Sequence, residues 1–278
     1  MNATTDQSDG RLVTIDVDGR EVRIEHAWVG PANANATAPV IVFLHEGLGS
    51  QAMWKEFPAR LCEAVRCRGL VYSRPGYGRS TPPLQERFDV GYMHREAEVV
   101  LPKLLQALGV REPCVLFGHS DGGSIALIHA AAFPERVAGA ILLAPHIVVE
   151  AFGLSGIRDA RAAYLDAGTG MKPKLARYHD DVDGVFWRWN DIWLSAPFEA
   201  WNIEALLPRI RCPVLAIQGV ADPYGTMAQI DGIAARVPGT RLLKLPECGH
   251  SPHRDKADAV IAATHEFLTD TVHRRQAS

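Results

Sequence analysis

A serine, a histidine and a carboxylate, the three residue types that together run acyl transfer, each stand in a turn directly after a strand-like run. Ser120 lies in Gly118-His119-Ser120-Asp121-Gly122, between the apolar run 114–117 and a helix-like run opening Gly123-Ser124-Ile125-Ala126-Leu127. A serine at such a strand-to-helix turn is held in a strained backbone. Glycine is needed on both sides, because side chains there would collide across the turn. His250, in Cys248-Gly249-His250-Ser251-Pro252, follows the last strand-like run and is the candidate general base. An imidazole used this way needs a carboxylate to fix its tautomer and stabilise the imidazolium, and Asp222 in Gly219-Val220-Ala221-Asp222-Pro223 fits that role. The order Ser, Asp, His, with each group just past a strand, puts all three at the carboxyl edge of a parallel sheet.

The elements that must position these groups are legible as an alternation. Around Asp18-Gly19, residues 12–16 and 21–28 alternate apolar with polar as a β-hairpin does. Apolar strands at 39–45, 69–73, 114–117 and 137–143 then alternate with helical stretches at 53–65, 90–108 and after Ser120, which implies a parallel sheet buried on both faces. The alternation stops over 146–208, where helical runs carry Trp187, Trp189, Trp193 and Trp201. It resumes with a strand at 213–217, a helix at 225–237, a strand at 241–245 and a helix at 255–268. The expected fold class is therefore α/β, a mostly parallel, doubly wound sheet. Residues 11–145 and 209–275 form its core, 146–208 an inserted helical cap, and 1–10 a loose, flexible tail.

Bulk properties narrow the function. A chain of 278 residues, 47% hydrophobic and 22% charged, supports one α/β core plus an insertion and excludes disorder. A formal charge of -3, with Lys and Arg spread along the chain, supplies no field for nucleic acid. No apolar stretch approaches a membrane span, and residues 1–10 do not read as a secretion signal. The five cysteines, odd in number and in mostly apolar contexts, read as reduced thiols, so the expected setting is cytoplasmic. Cys248 stands near His250, and the expectation is a buried filler. No His-x-x-x-His spacing falls on an expected helix, so neither a metal nor any cofactor is called for. The expected partner is a small-molecule substrate, and the protein a monomer or homodimer.

The elbow, acid and histidine together resemble the α/β-hydrolase superfamily, specifically its cap-bearing serine hydrolase and esterase branch, over nearly the whole chain. The resemblance implies an oxyanion hole formed by the backbone N–H of Asp121 and a second N–H in His45-Glu46-Gly47-Leu48-Gly49. Aligning on His45 assigns that donor to Gly47, or to Leu48 if the register slips. Glu46 stands where relatives usually carry glycine. A carboxylate there could contact substrate, hold a water or pair with a cation such as Arg74; the plainer expectation is that it turns away and tethers a loop. Arg74 lies in Ser73-Arg74-Pro75-Gly76-Tyr77-Gly78-Arg79-Ser80, where relatives often show Asp-x-Pro-Gly-x-Gly-x-Ser. It could bind an anionic group, though bracing of the loop is expected.

The expected contacts to substrate are Glu46, Leu48, His146, Trp187 and Trp193, with an apolar or aromatic group seated under the cap. His45, His119 and His253 are expected in structural hydrogen bonds or packing. The activity implied is hydrolysis of a carboxylic ester, or of a related thioester or lactone. Two alternatives stay open: hydrolysis of a carbon–carbon bond in a diketone-type intermediate of aromatic degradation, and a ligand-binding receptor built on this fold. Dehalogenases and epoxide hydrolases are disfavoured, since they carry aspartate where this chain has Ser120.

Overall fold

A computed structural model describes residues 11–34 and 38–276, with side chains described as far as residue 270; the expected tail, 1–10, lies outside the described residues. The hairpin signal at Asp18-Gly19 gives β1 (Arg11–Val17) and β2 (Arg20–Val29), with both turn residues at positive φ, 54° and 77°. Six further strands follow: β3 (Ile41–Leu44), β4 (Gly69–Tyr72), β5 (Cys114–His119), β6 (Val137–Leu143), β7 (Val214–Gly219) and β8 (Arg241–Leu245). They form one eight-stranded sheet in the order β1-β2-β4-β3-β5-β6-β7-β8. The β1–β2 and β2–β4 pairs are antiparallel, and the rest of the sheet is parallel.

Strand periodicity divides the core between the two faces of this sheet. Val42, Leu44 and Leu116 pack into one cluster, while the alternate residues Ile41, Phe43, Val115 and Phe117 pack into the other. The second cluster is closed by α1 (Phe57–Val65) and the terminal helix: Leu61 and Cys62 come from the former, and Val260 and Phe267 from the latter. Residue 90 onward is helical from Tyr92, as α2 (Tyr92–Arg95), a π turn (Glu96–Val100) and α3 (Leu101–Ala107). Pro102 lacks an N–H to donate, and the ladder shifts register just before it. The stretch 53–65 likewise splits into a 3-10 turn (Gln51–Trp54) and α1, separated by Lys55 at φ 54°.

After β5 comes α4 (Asp121–Ala132), buried on nearly all sides, as its uniformly apolar sequence requires. Between β6 and β7 lie only helices among the named elements: α5 (Ala151–Leu165), α6 (Met171–Leu175), α7 (Val182–Trp193) and α8 (Ala196–Glu199), with short 3-10 turns. The two ends of this excursion are tied together by a Val148–Asn202 bridge and by Ile203 N–H donating to the Ile147 carbonyl at 2.8 Å. Gln229 on α9 (Ala228–Arg236) fastens this neck to the core, accepting from Ile147 N–H at 2.7 Å and donating to Glu150 at 2.7 Å. The chain ends in α10 (Pro252–Asp255) and α11 (Ala257–Gln276). No helix among the described residues is long and apolar enough to cross a membrane.

Candidate active site

Ser120 sits between β5 and α4 with φ 53° and ψ -120°, a strained conformation for any residue with a side chain. Its flanking glycines are sterically required. A Cβ on Gly118 would stand 2.2 Å from the Gly122 carbonyl oxygen, and one on Gly122 would stand 2.1 Å from that of Leu44. Ser120 N–H donates to the Leu143 carbonyl at 2.8 Å, which pins the turn to the end of β6. Asp121 opens α4, so its N–H has no partner one helical turn back.

Asp222, in the turn after β7, and His250, in the loop after β8, meet in a hydrogen bond: His250 Nδ1 lies 2.9 Å from both carboxylate oxygens. Tyr224 N–H and Gln218 Nε2 donate to the same carboxylate, each at 2.8 Å. Burial works to raise the Asp222 pKa. The hydrogen bond and charge of His250, with the Tyr224 amide, outweigh it and hold the carboxyl below the usual carboxylate range. With Nδ1 donating to Asp222, His250 keeps Nε2 as its basic nitrogen. The residue before Ser120 touches this loop directly, since His119 Nε2 donates to the His250 carbonyl at 2.6 Å.

The loop after β3 is held from below by Arg74. Its backbone N–H and Nε both point at His45 Nε2, at 3.0 and 3.4 Å, and its Nη2 donates to the Glu46 carbonyl at 2.8 Å. Because His45 Nε2 accepts, Nδ1 carries the proton and donates to the same carbonyl at 2.7 Å. Arg74 is fully buried. It braces the loop and cannot meet a substrate anion. The Glu46 carboxylate turns from Arg74 toward His119, 3.5 Å away. Burial would raise its pKa, but His119 and the neighbouring histidines hold it well below the usual range. Pairing of Glu46 with the Arg74 cation is therefore corrected: Arg74 takes its backbone carbonyl, because the guanidinium faces Asp121 instead, at 3.7 Å.

From the helical excursion, Trp189 presses on Gly47, where an added Cβ would stand 2.2 Å from its indole nitrogen. Trp193 packs edge-on against His146, centroids 4.9 Å apart, and donates from Nε1 to the Tyr92 hydroxyl at 3.2 Å. His146 is buried, with its ring 6.0 Å from that of His250, and burial and the His250 charge push its pKa down to about 4. The Trp187 ring instead contacts Tyr164, Phe186 and Arg161, all within the excursion. The outward turn of α7 explains this, since Trp189 and Trp193 share a face and Trp187 does not. Leu48 is half-buried, and its carbonyl accepts from His179 Nε2 at 3.0 Å while His179 Nδ1 accepts from Gly78 N–H at 3.0 Å. Trp189 stood in the sequence only as one of four tryptophans of the excursion and His179 was not singled out; their contacts cross from the excursion to the core and have no local signature.

Two other groups take structural places. His253 packs among Trp54, Phe57 and His119 in the second core cluster. Cys248 is buried, and burial with the Asp255 charge pushes its thiol up to about 11, so it is no rival nucleophile. A broad cleft of about 1130 Å³ between β2 and the segment 176–180 is lined by none of Ser120, Asp222 and His250. Ser120, Asp222 and His250 stand elsewhere, just past the ends of β5, β7 and β8.

The family model of the alpha/beta hydrolase family matches residues 41–263, most of the chain and every strand from β3 onward. The chain belongs to the alpha/beta hydrolase family. It is 30% identical over 202 residues to the Homo sapiens serine hydrolase BPHL, a match covering 69% of this chain and 66% of that protein, just under two thirds of its length. Over 296 residues it is 23% identical to the 2-hydroxy-6-oxononadienedioate/2-hydroxy-6-oxononatrienedioate hydrolase of Comamonas testosteroni, covering 97% of this chain and 100% of that one. The solved enol-lactonase of Burkholderia xenovorans LB400 superposes with a TM-score of 0.70 at 22% identity, covering 92% of this chain and 100% of that one. The eight-stranded, mostly parallel sheet with its flanking helices is that of the family fold.

Proposed function

We propose that this hydrolase cleaves a carboxylic ester, or a related thioester or lactone, of a small, partly apolar or aromatic molecule through an acyl-enzyme. The observation that carries the reading is the Asp222–His250 hydrogen bond, in a loop whose His250 carbonyl accepts from His119, the neighbour of a serine held at φ 53°. His250 Nε2 takes the Ser120 Oγ proton as the oxygen attacks the carbonyl carbon, while Asp222 steadies the imidazolium. The N–H groups of Asp121 and Gly47 receive the oxyanion. His250 then passes the proton to the departing alcohol, and water activated by the same nitrogen releases the acid. Trp189, Trp193 and the neutral His146 form the apolar wall over the elbow, so helices α5–α8 act as the cap.

The names of the relatives include a hydrolase of dienedioates, and carbon–carbon cleavage would use the same three residues. A doubly anionic substrate of that kind needs an uncommitted cation close to the serine. The buried arginines among the described residues are engaged: Arg74 is fully enclosed, and Arg188 donates to the Gly76 carbonyl at 2.8 Å and pairs with Asp181. An uncharged ester fits this wall better. The reading takes no cofactor and one small-molecule substrate, in a cytoplasmic monomer or homodimer; Cys62, Cys67, Cys114 and Cys248, buried as thiols, support a reducing setting. A panel of p-nitrophenyl esters, thioesters, lactones and vinylogous diketones tests it. Multiple turnover confined to the acyl substrates is expected. Turnover confined to the diketones would overturn the ester assignment, and stabilisation by ligand without turnover would indicate a receptor.

A further inference from the structure

Beneath Ser120 lies a buried charge that the chemistry above does not use. Asp121 supplies a backbone N–H to the oxyanion, yet its own carboxylate is fully enclosed one residue from the nucleophile. An anion so placed opposes the charge that develops in the transition state. Burial raises its pKa, and Arg74 and the Tyr92 hydroxyl, which donates to Oδ2 at 2.8 Å, act to keep it ionised. Arg74 is the counter-charge, 3.7 Å away, with Tyr77 stacked on its guanidinium at 4.5 Å. The same guanidinium group reaches the Glu46 carbonyl and the His45 ring, which belong to the loop carrying the second donor. One side chain therefore touches both arms of the oxyanion hole. A third link runs upward, from Asp121 through Tyr92 to Trp193 on α7.

Resting on the serine-hydrolase reading, we propose that Arg74 is the positioning residue of the oxyanion hole: it neutralises Asp121 and fixes the His45–Glu46 loop, so turnover depends on a residue that never meets substrate. A lysine keeps the charge and loses the fork that spans the two arms. A methionine leaves Asp121 uncompensated, the costly half of a broken buried pair. The groups facing Asp121 are Arg74 and Tyr77 from the loop after β4, Tyr92 from α2, Glu46 from the loop after β3, and His250. Asp121 is the member whose protonation removes the uncompensated charge.

The test measures kcat and KM for a p-nitrophenyl ester across pH for Arg74→Lys, Arg74→Met, Asp121→Asn and the double variant Arg74→Met/Asp121→Asn. Near-UV circular dichroism checks the fold, and a serine-directed phosphonate counts competent sites. Arg74→Met should lose about 100-fold in kcat with KM nearly unchanged, the scale of removing one oxyanion donor. Its kcat relative to the unaltered protein should rise as pH falls, because protonating Asp121 removes the offending charge. The double variant should recover at least about 10-fold over Arg74→Met, with a ratio flat in pH. Equal kcat in the single and double variants, with both ratios flat, overturns the proposal. Should Arg74→Met fail to fold, Arg74→Lys decides: a fall of about 10-fold or more in kcat at constant KM supports it, and unaltered kcat contradicts it. If the phosphonate does not label Ser120 in the unaltered protein, the hydrolase mechanism fails first; if it does and the Arg74 comparison is flat, only this inference falls.

Discussion

The proposed acid–base side of the site and its proposed oxyanion side are built by opposite strategies. On the first, Asp222 and His250 come from two short turns after adjacent strands, and the carboxylate is satisfied by partners within a few residues, Gln218 and Tyr224. On the second, the loop after β3, the loop after β4, the start of α4, Tyr92 and two residues of the helical excursion, Trp189 and His179, converge on one small volume. The first side carries a single carboxylate with its histidine. The second holds two carboxylates, Glu46 and Asp121, and a fully buried arginine. A local arrangement tolerates change around it, whereas a convergent one transmits change from every contributor.

The largest effect should come from the local side. Asp222→Asn leaves the geometry intact but presents the wrong tautomer of His250, so kcat should fall by about 10⁴-fold, measured on an activated ester. A loss below about tenfold would mean that His250 is oriented by something else, such as the His119 contact. Next comes the convergent side. Trp189→Ala, which touches no reacting atom, should lower kcat/KM by roughly 10-fold because the Gly47 loop loses its cover, the scale of modest misplacement. Unchanged kinetics across ester sizes would remove the helical excursion from the proposed oxyanion side of the comparison.

Glu46→Gln should do less. Its carboxylate reaches the base only through His119, and a single partly exposed pair is worth under about 1 kcal/mol, so kcat should drop by less than about 5-fold. A large change in substrate preference would instead make Glu46 a substrate contact.

The smallest effect on catalysis, and the clearest on stability, concerns Glu96 in the π turn. Burial pushes its pKa up to about 7 despite the Arg74 charge. The folded protein therefore holds a proton that the unfolded chain, with a pKa near 4.5, releases. Stability falls as pH rises from about 4.5 to 7 and is level above, the reverse of Asp222, whose lowered pKa contributes stability that is lost toward acid. Glu96→Gln should flatten that slope in denaturant titrations between pH 5 and 8, and a slope unchanged by the substitution would contradict it.

What was legible in the sequence follows the same division. Ser120, Asp222 and His250 could be named because each stands in a short turn after a strand and the apolar pattern ordered the strands. The hairpin at Asp18-Gly19 was equally plain, since only a turn with positive φ at both residues satisfies that pair. Helix limits were less so: the π turn before Pro102 and the break at Lys55 depend on packing rather than propensity. On the oxyanion side the residue types were visible but their partners were not. Arg74 was expected to brace its loop rather than bind an anion, and it does; its enclosure against Asp121 was not foreseen. The one-turn spacing of Trp189 and Trp193 was visible, but which tryptophans face the core was settled only once α7 acquired a direction. Contacts between elements distant in the chain leave no local pattern, and His179, which joins Leu48 to Gly78 from the helical excursion, is the plainest case.

The central claim is that Ser120 is the nucleophile of an acyl-enzyme with His250 as its base. Mass spectrometry of the protein after reaction with a serine-directed phosphonate tests it most directly. One adduct on the peptide carrying Ser120 is predicted, absent in Ser120→Ala and slowed by orders of magnitude in His250→Ala, with ester turnover lost in parallel. Adduct formation at another residue, or ester turnover that survives Ser120→Ala undiminished, would contradict the account.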